Sequence, residues 1–229
     1  MKTLGMIGGM SWESTVTYYQ VLNSTVKERL GGLHSARCVV YSVDFQEIEE
    51  CQASGEWERS AGILADAARR LEAAGADCVI LCTNTMHKVA GAIEEAVAIP
   101  LLHIAELTAD ELIEEHVGRV GLLGTRYTME QDFYKARLAA RGMDVLVPDG
   151  PDRETMNAII YDELCLGSLN PESKTRVLEM MESLRGRGAE GIILGCTEIG
   201  LLVRQEDTVC PLFDTALIHA RRAALYALR

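Results

Sequence analysis

Apolar and polar residues follow two recurring textures along this chain: short runs rich in Val, Ile and Leu, and longer stretches where apolar residues return every three or four positions. The first texture reads as buried strands of a parallel sheet, the second as amphipathic helices packed on it. A strand over residues 3–7 ends in Gly8-Gly9-Met10-Ser11, and Ser11 is placed to cap a helix running to about residue 30. Gly31-Gly32 breaks that helix, and residues 38–43 read as a second strand leading into a loop over 44–55. Residues 56–74 carry Ile63, Leu64, Ala67, Ala68 and Leu71 on one helical face. A strand ending at Leu81, a helix over about 85–96 and a strand over about 100–104 complete a first set of elements. An acidic helix over 105–117 carries the chain into a second set. Its strands are expected at 119–123, 145–147, up to Gly195, and 209–213. Its helices are expected at 129–141, 154–164, 171–187 (opened by Asn170-Pro171) and about 215–228, with residues 148–152 as a loop. Strands alternating with helices predict an α/β fold built on parallel sheets.

The two sets repeat each other. Gly75-Ala76-Asp77-Cys78-Val79-Ile80-Leu81 lies over Gly188-Ala189-Glu190-Gly191-Ile192-Ile193-Leu194 at an offset of 113 (188 minus 75). Residues 4–9 resemble 120–125 at an offset of 116 (120 minus 4), and 99–103 resemble 210–214 at an offset of 111 (210 minus 99). Echoes in one order with nearly constant offsets predict two copies of one αβ unit. The expected lobes are residues 1–104 with 212–229, and residues 105–211. Two pseudo-symmetric lobes of this kind, each a parallel sheet flanked by helices, would hold a site in the cleft between them. The alignment makes Thr83, not Cys82, the counterpart of Cys196.

Composition narrows the function classes. The net charge is −12, with 34 acidic against 22 basic residues, which argues against nucleic acid or an anionic membrane surface as the main partner. No run approaches the roughly 18 apolar residues that a membrane span needs. The seven cysteines, at 38, 51, 78, 82, 165, 196 and 210, are odd in number and form no Cys-x-x-Cys, which suits free thiols in a reducing, cytoplasmic setting. Neither Gly-x-Gly-x-x-Gly nor a Gly-Lys-Ser/Thr loop is present, so nothing marks a nucleotide site. Cys82, His87 and His103 have no standard zinc-ligand spacing.

Cys196 follows an Ile-rich run at what should be the carboxyl end of a strand, where free backbone N–H groups gather at the start of the next helix. Such a helix start is expected to lower the thiol's pKa enough to populate thiolate. Lys2-Thr3-x-Gly5-x-x-Gly8-Gly9-Met10, Asn84-Thr85-x-His87 and Gly195-Cys196-Thr197-Glu198 together resemble the aspartate/glutamate racemase superfamily over nearly the whole chain. Gly-Cys-Thr-Glu also occurs in hydantoin racemases, maleate isomerases and arylmalonate decarboxylases. The resemblance implies a homodimer without pyridoxal phosphate, other cofactor or metal, acting on a free amino acid. It also implies inversion at the α-carbon by two opposed thiols. Inversion needs a base on one face and an acid on the other, and donors aimed at the α-carboxylate where charge accumulates. Cys196 and Thr83 take the catalytic positions. Gly9, Met10, Ser11, Asn84, Thr85, Arg126, Thr197 and Glu198 are the substrate-binding candidates.

The chain departs from the family pattern in two places. Thr83 stands where the usual motif has cysteine, so proton exchange on that face should slow or pass through water; Cys82 is the other candidate, although one residue off it should face the opposite side of the strand. Aspartate-specific relatives hold the distal carboxylate with an Arg and a Lys, but residues 38–58 contain neither, and the matching positions are Glu49 and Cys165. Arg126 is then the available bidentate partner for an acid. The expected activity is racemisation of aspartate or glutamate, or of a broader neutral set. The alternative is a one-thiol decarboxylase or cis-trans isomerase of the same superfamily.

Overall fold

The computed structural model describes residues 1–229 as two compact units, Met1–Ile104 with Ala216–Arg229, and Ala105–Thr215. In the first unit three parallel strands, β1 (Leu4–Gly8), β2 (Cys38–Ser42) and β3 (Cys78–Leu81), lie in the order β2-β1-β3. Beyond β3 the backbone of Leu101 forms a parallel bridge with Val79. In the second unit β4 (Arg119–Gly124), β5 (Asp144–Leu146), β6 (Gly191–Gly195) and β7 (Leu212–Asp214) lie in the order β5-β4-β6-β7, again all parallel. The sequence repeat is thus a repeat of topology. Val79 N–H donates to Pro100 O just as Ile192 N–H donates to Pro211 O. Residues 212–215, grouped from sequence with the first lobe, lie in the second unit because β7 hydrogen-bonds along β6.

Strand parity explains how the first sheet buries both faces. Leu4, Met6, Cys78, Ile80 and Cys82 pack against Tyr18, Leu22 and Val26 of the helix Trp12–Leu30, and against Ala216, Ala220, Ala223, Ala224 and Ala227 of the closing helix Thr215–Ala227. Ile7, Val79 and Leu81, on the alternate positions, pack against Leu64, Ala67, Ala68 and Leu71 of the helix Trp57–Ala73. In the second unit Leu123, Ile192 and Leu194 pack with Met156, Ile160, Val177, Met180 and Leu184. No helix is long and apolar enough to cross a membrane.

Several expected boundaries shift. Residues 44–55, expected as a loop, contain a helix, Phe45–Ser54, capped by the Asp44 side chain on Gln46 N–H and closed by Gly55 at φ 76°. Only Ile48, Cys51 and Gln52 on it are buried, too few to raise an apolar period above its acidic run. The expected helix over 85–96 is a 3₁₀ turn, Thr85–Val89, followed by Ala90–Ala96. The strand expected over 100–104 reduces to the Leu101 bridge, and Ile104 opens the helix Ile104–Glu114. The expected helix over 129–141 is two pieces, Arg126–Glu130 and Asp132–Ala140. The helix expected from 154 starts at Gly150, capped by Asp149, and runs on as a π turn Ile159–Glu163.

Candidate active site

Both sheets reverse the direction of strand addition next to their first strand, so each has a topological switch point where ligands of open α/β folds commonly bind. In the second unit that point lies between β4 and β6. Gly124 pairs with Gly195 at the carboxyl ends, and Cys196 is the next residue. Its Sγ donates to Glu198 Oε2 at 3.0 Å, and Thr197 Oγ1 donates to the same oxygen at 2.6 Å. Glu198 is 7% exposed and Cys196 9% exposed, so the thiol and the carboxylate meet largely out of water. Burial raises the thiol pKa well above its ordinary value, and the negative charge of Glu198 and the proximity of Cys165 raise it further.

This corrects the expectation of a helix-activated thiolate. The helix after Cys196 is only Ile199–Leu202, and the first charge met by the sulfur is a carboxylate. Four residues carry too little aligned dipole to outweigh burial beside an anion. Cys196 rests as a thiol with its proton directed at Glu198, so the pair has an acid and a proton acceptor already hydrogen-bonded.

The remaining second-unit candidates divide. Cys165, in the turn Leu164–Leu166, packs against the apolar cluster that contains Cys196. Arg126 is exposed; its N–H donates to Asn157 Oδ1 and its guanidinium lies over the Tyr127 ring, 5.8 Å from the centroid. Asp214, at the end of β7, closes over Gly200, where an added Cβ would come within 2.5 Å of Oδ2. Thr215 Oγ1 donates to Leu194 O at 2.8 Å, tying the next chain segment to the end of β6.

In the first unit the switch point lies between β1 and β3. Cys82 N–H donates to Ile7 O, and Thr83 follows. Counting from the paired residues Ile7–Leu81 and Leu123–Leu194, Thr83 occupies in its sheet the place that Cys196 occupies in the other. Cys82 is fully buried on the opposite face with Cys78 and Ile80, and burial drives its pKa far up. Thr83 is only half-buried. Asn84 and Thr85 are buried beside it.

His87 holds this turn. Its Nε2 accepts from Ile104 N–H at 3.2 Å, which requires that nitrogen to be unprotonated; Nδ1 therefore carries the hydrogen and donates to Thr83 O at 2.8 Å. Both ring nitrogens are thus committed to backbone, and the ring is a clamp on Thr83 rather than a proton shuttle. Next to it lie His103, at 4.4 Å between ring centroids, and His219, at 5.9 Å. His219 donates from Nε2 to Leu102 O and accepts at Nδ1 from the Tyr18 hydroxyl. Its burial lowers the pKa to about 4. His219 and Tyr18 carry no motif, and their only sequence signal is polar residues on otherwise apolar helix faces. No group of three or more His, Cys, Asp or Glu side chains is arranged to hold a metal ion.

The glycine turn after β1 serves internal packing. Gly9 has φ 94°, and a Cβ there would stand 2.2 Å from Val43 O; a Cβ on Gly8 would meet the Thr15 side chain at 2.5 Å. Met10 is buried in the core, and the Ser11 hydroxyl caps Trp12–Leu30 by accepting from Ser14 N–H. Gly8 and Gly9 thus let the backbone after β1 approach the neighbouring chain segments closely. Glu49 is half-buried on Phe45–Ser54.

Known proteins share this sequence pattern and fold. A Yersinia pestis protein assigned to the Asp/Glu racemases has a crystal structure that matches with a TM-score of 0.94 and 53% identity, each chain covered in full. An aspartate racemase homologue from Pyrococcus horikoshii matches with a TM-score of 0.87 and 36% identity, again over both whole chains. The broad specificity amino-acid racemase RacX of Bacillus subtilis is 27% identical over 157 residues, covering 68% of this chain and 67% of its own. With residues 7–223 matching the family profile, from the end of β1 to the closing helix, the chain belongs to the Asp/Glu/Hydantoin racemase family.

Proposed function

We propose that this protein is a cofactor-independent amino-acid racemase in which Cys196 moves the α-proton on one face of the substrate and Thr83 serves the other. The observation that carries the reading is the Cys196 Sγ–Glu198 Oε2 hydrogen bond at the carboxyl end of β6. Glu198 takes the thiol proton, and the thiolate sulfur then takes the substrate's α-hydrogen as a proton. The electron pair of that C–H bond passes into the α-carboxylate as an enediolate. A proton delivered to the opposite face of the α-carbon re-forms a C–H bond with inverted configuration. Thr83 is a far weaker acid than a thiol, so it relays that proton from water and is re-protonated in turn. In the reverse direction the same groups exchange roles. Asn84, Thr85 and Thr197, next to the two proton-transfer positions, are the donors proposed for the carboxylate.

The substrate range follows from charge. No Lys or Arg occurs over residues 38–58, so that stretch offers no cation to a distal substrate carboxylate. The proposed substrates are therefore neutral as well as acidic amino acids, a reading that fits the broad specificity named for the B. subtilis relative.

Incubation in heavy water with a panel of L- and D-amino acids, followed by NMR of α-deuterium, tests this reading. Exchange with at least one member, lost in Cys196→Ala and raised in Thr83→Cys, is expected. No exchange with any member, or exchange that survives Cys196→Ala, overturns it. Turnover of a malonate or maleate without racemisation would move the chain to the one-thiol decarboxylase or isomerase reading.

A further inference from the structure

Beside the helix Ile199–Leu202 the second unit has a hollow of about 350 Å³, inside the range of roughly 300–1,000 Å³ that holds small ligands. Cys196 and Glu198 do not line it, so it is distinct from the site at the end of β6. Leu169, Leu201 and Leu202 give it an apolar wall, and four charged side chains line the rest. Two of these satisfy each other. Lys174 Nζ lies 2.7 Å from Asp207 Oδ2, which also accepts from Arg204 N–H. The other two, Arg204 and Glu206, are exposed, and neither side chain enters an ion pair. They flank Gln205, whose Nε2 donates to Thr208 O and Cys210 O and whose Oε1 accepts from Leu212 N–H. The two uncommitted charges thus stand on an anchored turn, which lowers the ordering cost of binding. To a ligand the hollow offers one cation, one anion and an apolar wall.

We propose that this hollow is a second amino-acid site, separate from the thiol, that takes a free amino acid with an apolar side chain. The ligand carboxylate lies on Arg204, its ammonium on Glu206 and its side chain on Leu169 and Leu201. A zwitterion satisfies a free cation and a free anion together, whereas a simple acid or amine leaves one of them without a partner. The planar fork of Arg204 matches a carboxylate. Exposed ion pairs are weak singly, so the apolar wall has to contribute, and it selects a leucine-like side chain over glycine. The hollow is also tied to the thiol through the backbone. Ile199 N–H donates to Cys196 O and Leu201 N–H to Glu198 O, and Leu202 is buried in the same apolar cluster as Cys196. A ligand seated on Leu201 therefore bears on the turn that carries Cys196 and Glu198. Binding stands apart from the racemase reading, and only an effect on turnover rests on it.

Methyl NMR of the native protein, labelled at leucine and titrated with unlabelled L-leucine, tests the proposal. The methyl signals of Leu169 and Leu201 should shift saturably. Isocaproate and isoamylamine, each leucine less one charged group, should bind at least about fivefold more weakly, and glycine should leave the signals in place. Arg204→Ala should weaken leucine and isocaproate but not isoamylamine. Glu206→Gln should weaken leucine and isoamylamine but not isocaproate. That crossed pattern is one a general loss of fold cannot produce. No saturable shift at Leu169 and Leu201, or analogues that bind as well as leucine, overturns the site. Variants that weaken all three ligands alike overturn the assignment of the two charges. For the link to the thiol, the rate of Cys196 alkylation by iodoacetamide should change with leucine in the native protein and stay constant in Arg204→Ala. No change in the native protein, or the same change in both, overturns the link.

Discussion

In the proposed mechanism Cys196 and Glu198 act as one acid–base unit, and their hydrogen bond has opposite consequences for two measurements. The carboxylate helps to keep the sulfur protonated, yet it is also the group positioned to receive that proton. In Glu198→Gln the negative neighbour is gone, so Cys196 should titrate at lower pH. Alkylation of the Cys196 peptide, followed against pH by mass spectrometry, should show its midpoint moving down. Catalysis should move the other way: kcat for α-proton exchange should fall by about 10²–10⁴-fold, the range for losing a proton-transfer partner. A variant with unchanged kcat would show that Glu198 only tunes the thiol. On the other strand end, Thr83 depends on His87, whose two backbone hydrogen bonds exclude it from proton transfer while holding the Thr83 carbonyl in place.

The turns after the first strands position the chain segments around each switch point by close backbone packing. Gly9 lies in the left-handed region, and Val43 O occupies the space a side chain would need. Gly9→Ala should therefore both strain the backbone and push the β1 turn off the segment that follows β2. The expected cost is about 1–3 kcal/mol or more, read as a fall in melting temperature of roughly 2–4 °C per kcal/mol for a chain of this size. Gly31, at φ 72° with open space around it, supplies the comparison. Gly31→Ala carries the conformational strain alone, and a melting temperature equal to that of Gly9→Ala would remove the packing argument.

For the molecule as a whole, buried neutral histidine makes stability depend on acid. His219 is fully buried between Leu102 O, the Tyr18 hydroxyl and the ring of His87, with a pKa lowered from 6.5 to about 4. The unfolded chain binds a proton here at a pH where the folded chain does not. Stability from this group is complete above pH 6.5 and is lost as pH falls through that value toward the folded pKa. The full loss for such a shift is about 3 kcal/mol. Urea unfolding at a series of pH values should show the native protein losing stability more steeply from pH 6.5 to 4 than His219→Gln, and parallel curves would refute the assignment.

The repeat was legible from local order because parallel strands buried on both faces must be continuous apolar runs, and their turns must carry glycine and polar caps. Offsets of 111 to 116 between the copies therefore anticipated two sheets of the same strand order and the equivalence of Thr83 with Cys196. Period-two alternation likewise set Cys82 apart from Thr83, since adjacent strand residues face opposite sides. Phe45–Ser54 escaped because an acidic helix held by three buried side chains and two caps has little periodic signal. The histidine cluster escaped because His87, His103 and His219 become neighbours only when the closing helix packs back on the first sheet. The state of Cys196 depended on tertiary structure most of all. A motif names the thiol and places it after a strand, but its proton affinity is a sum over burial and nearby charge, and only folding brings those together.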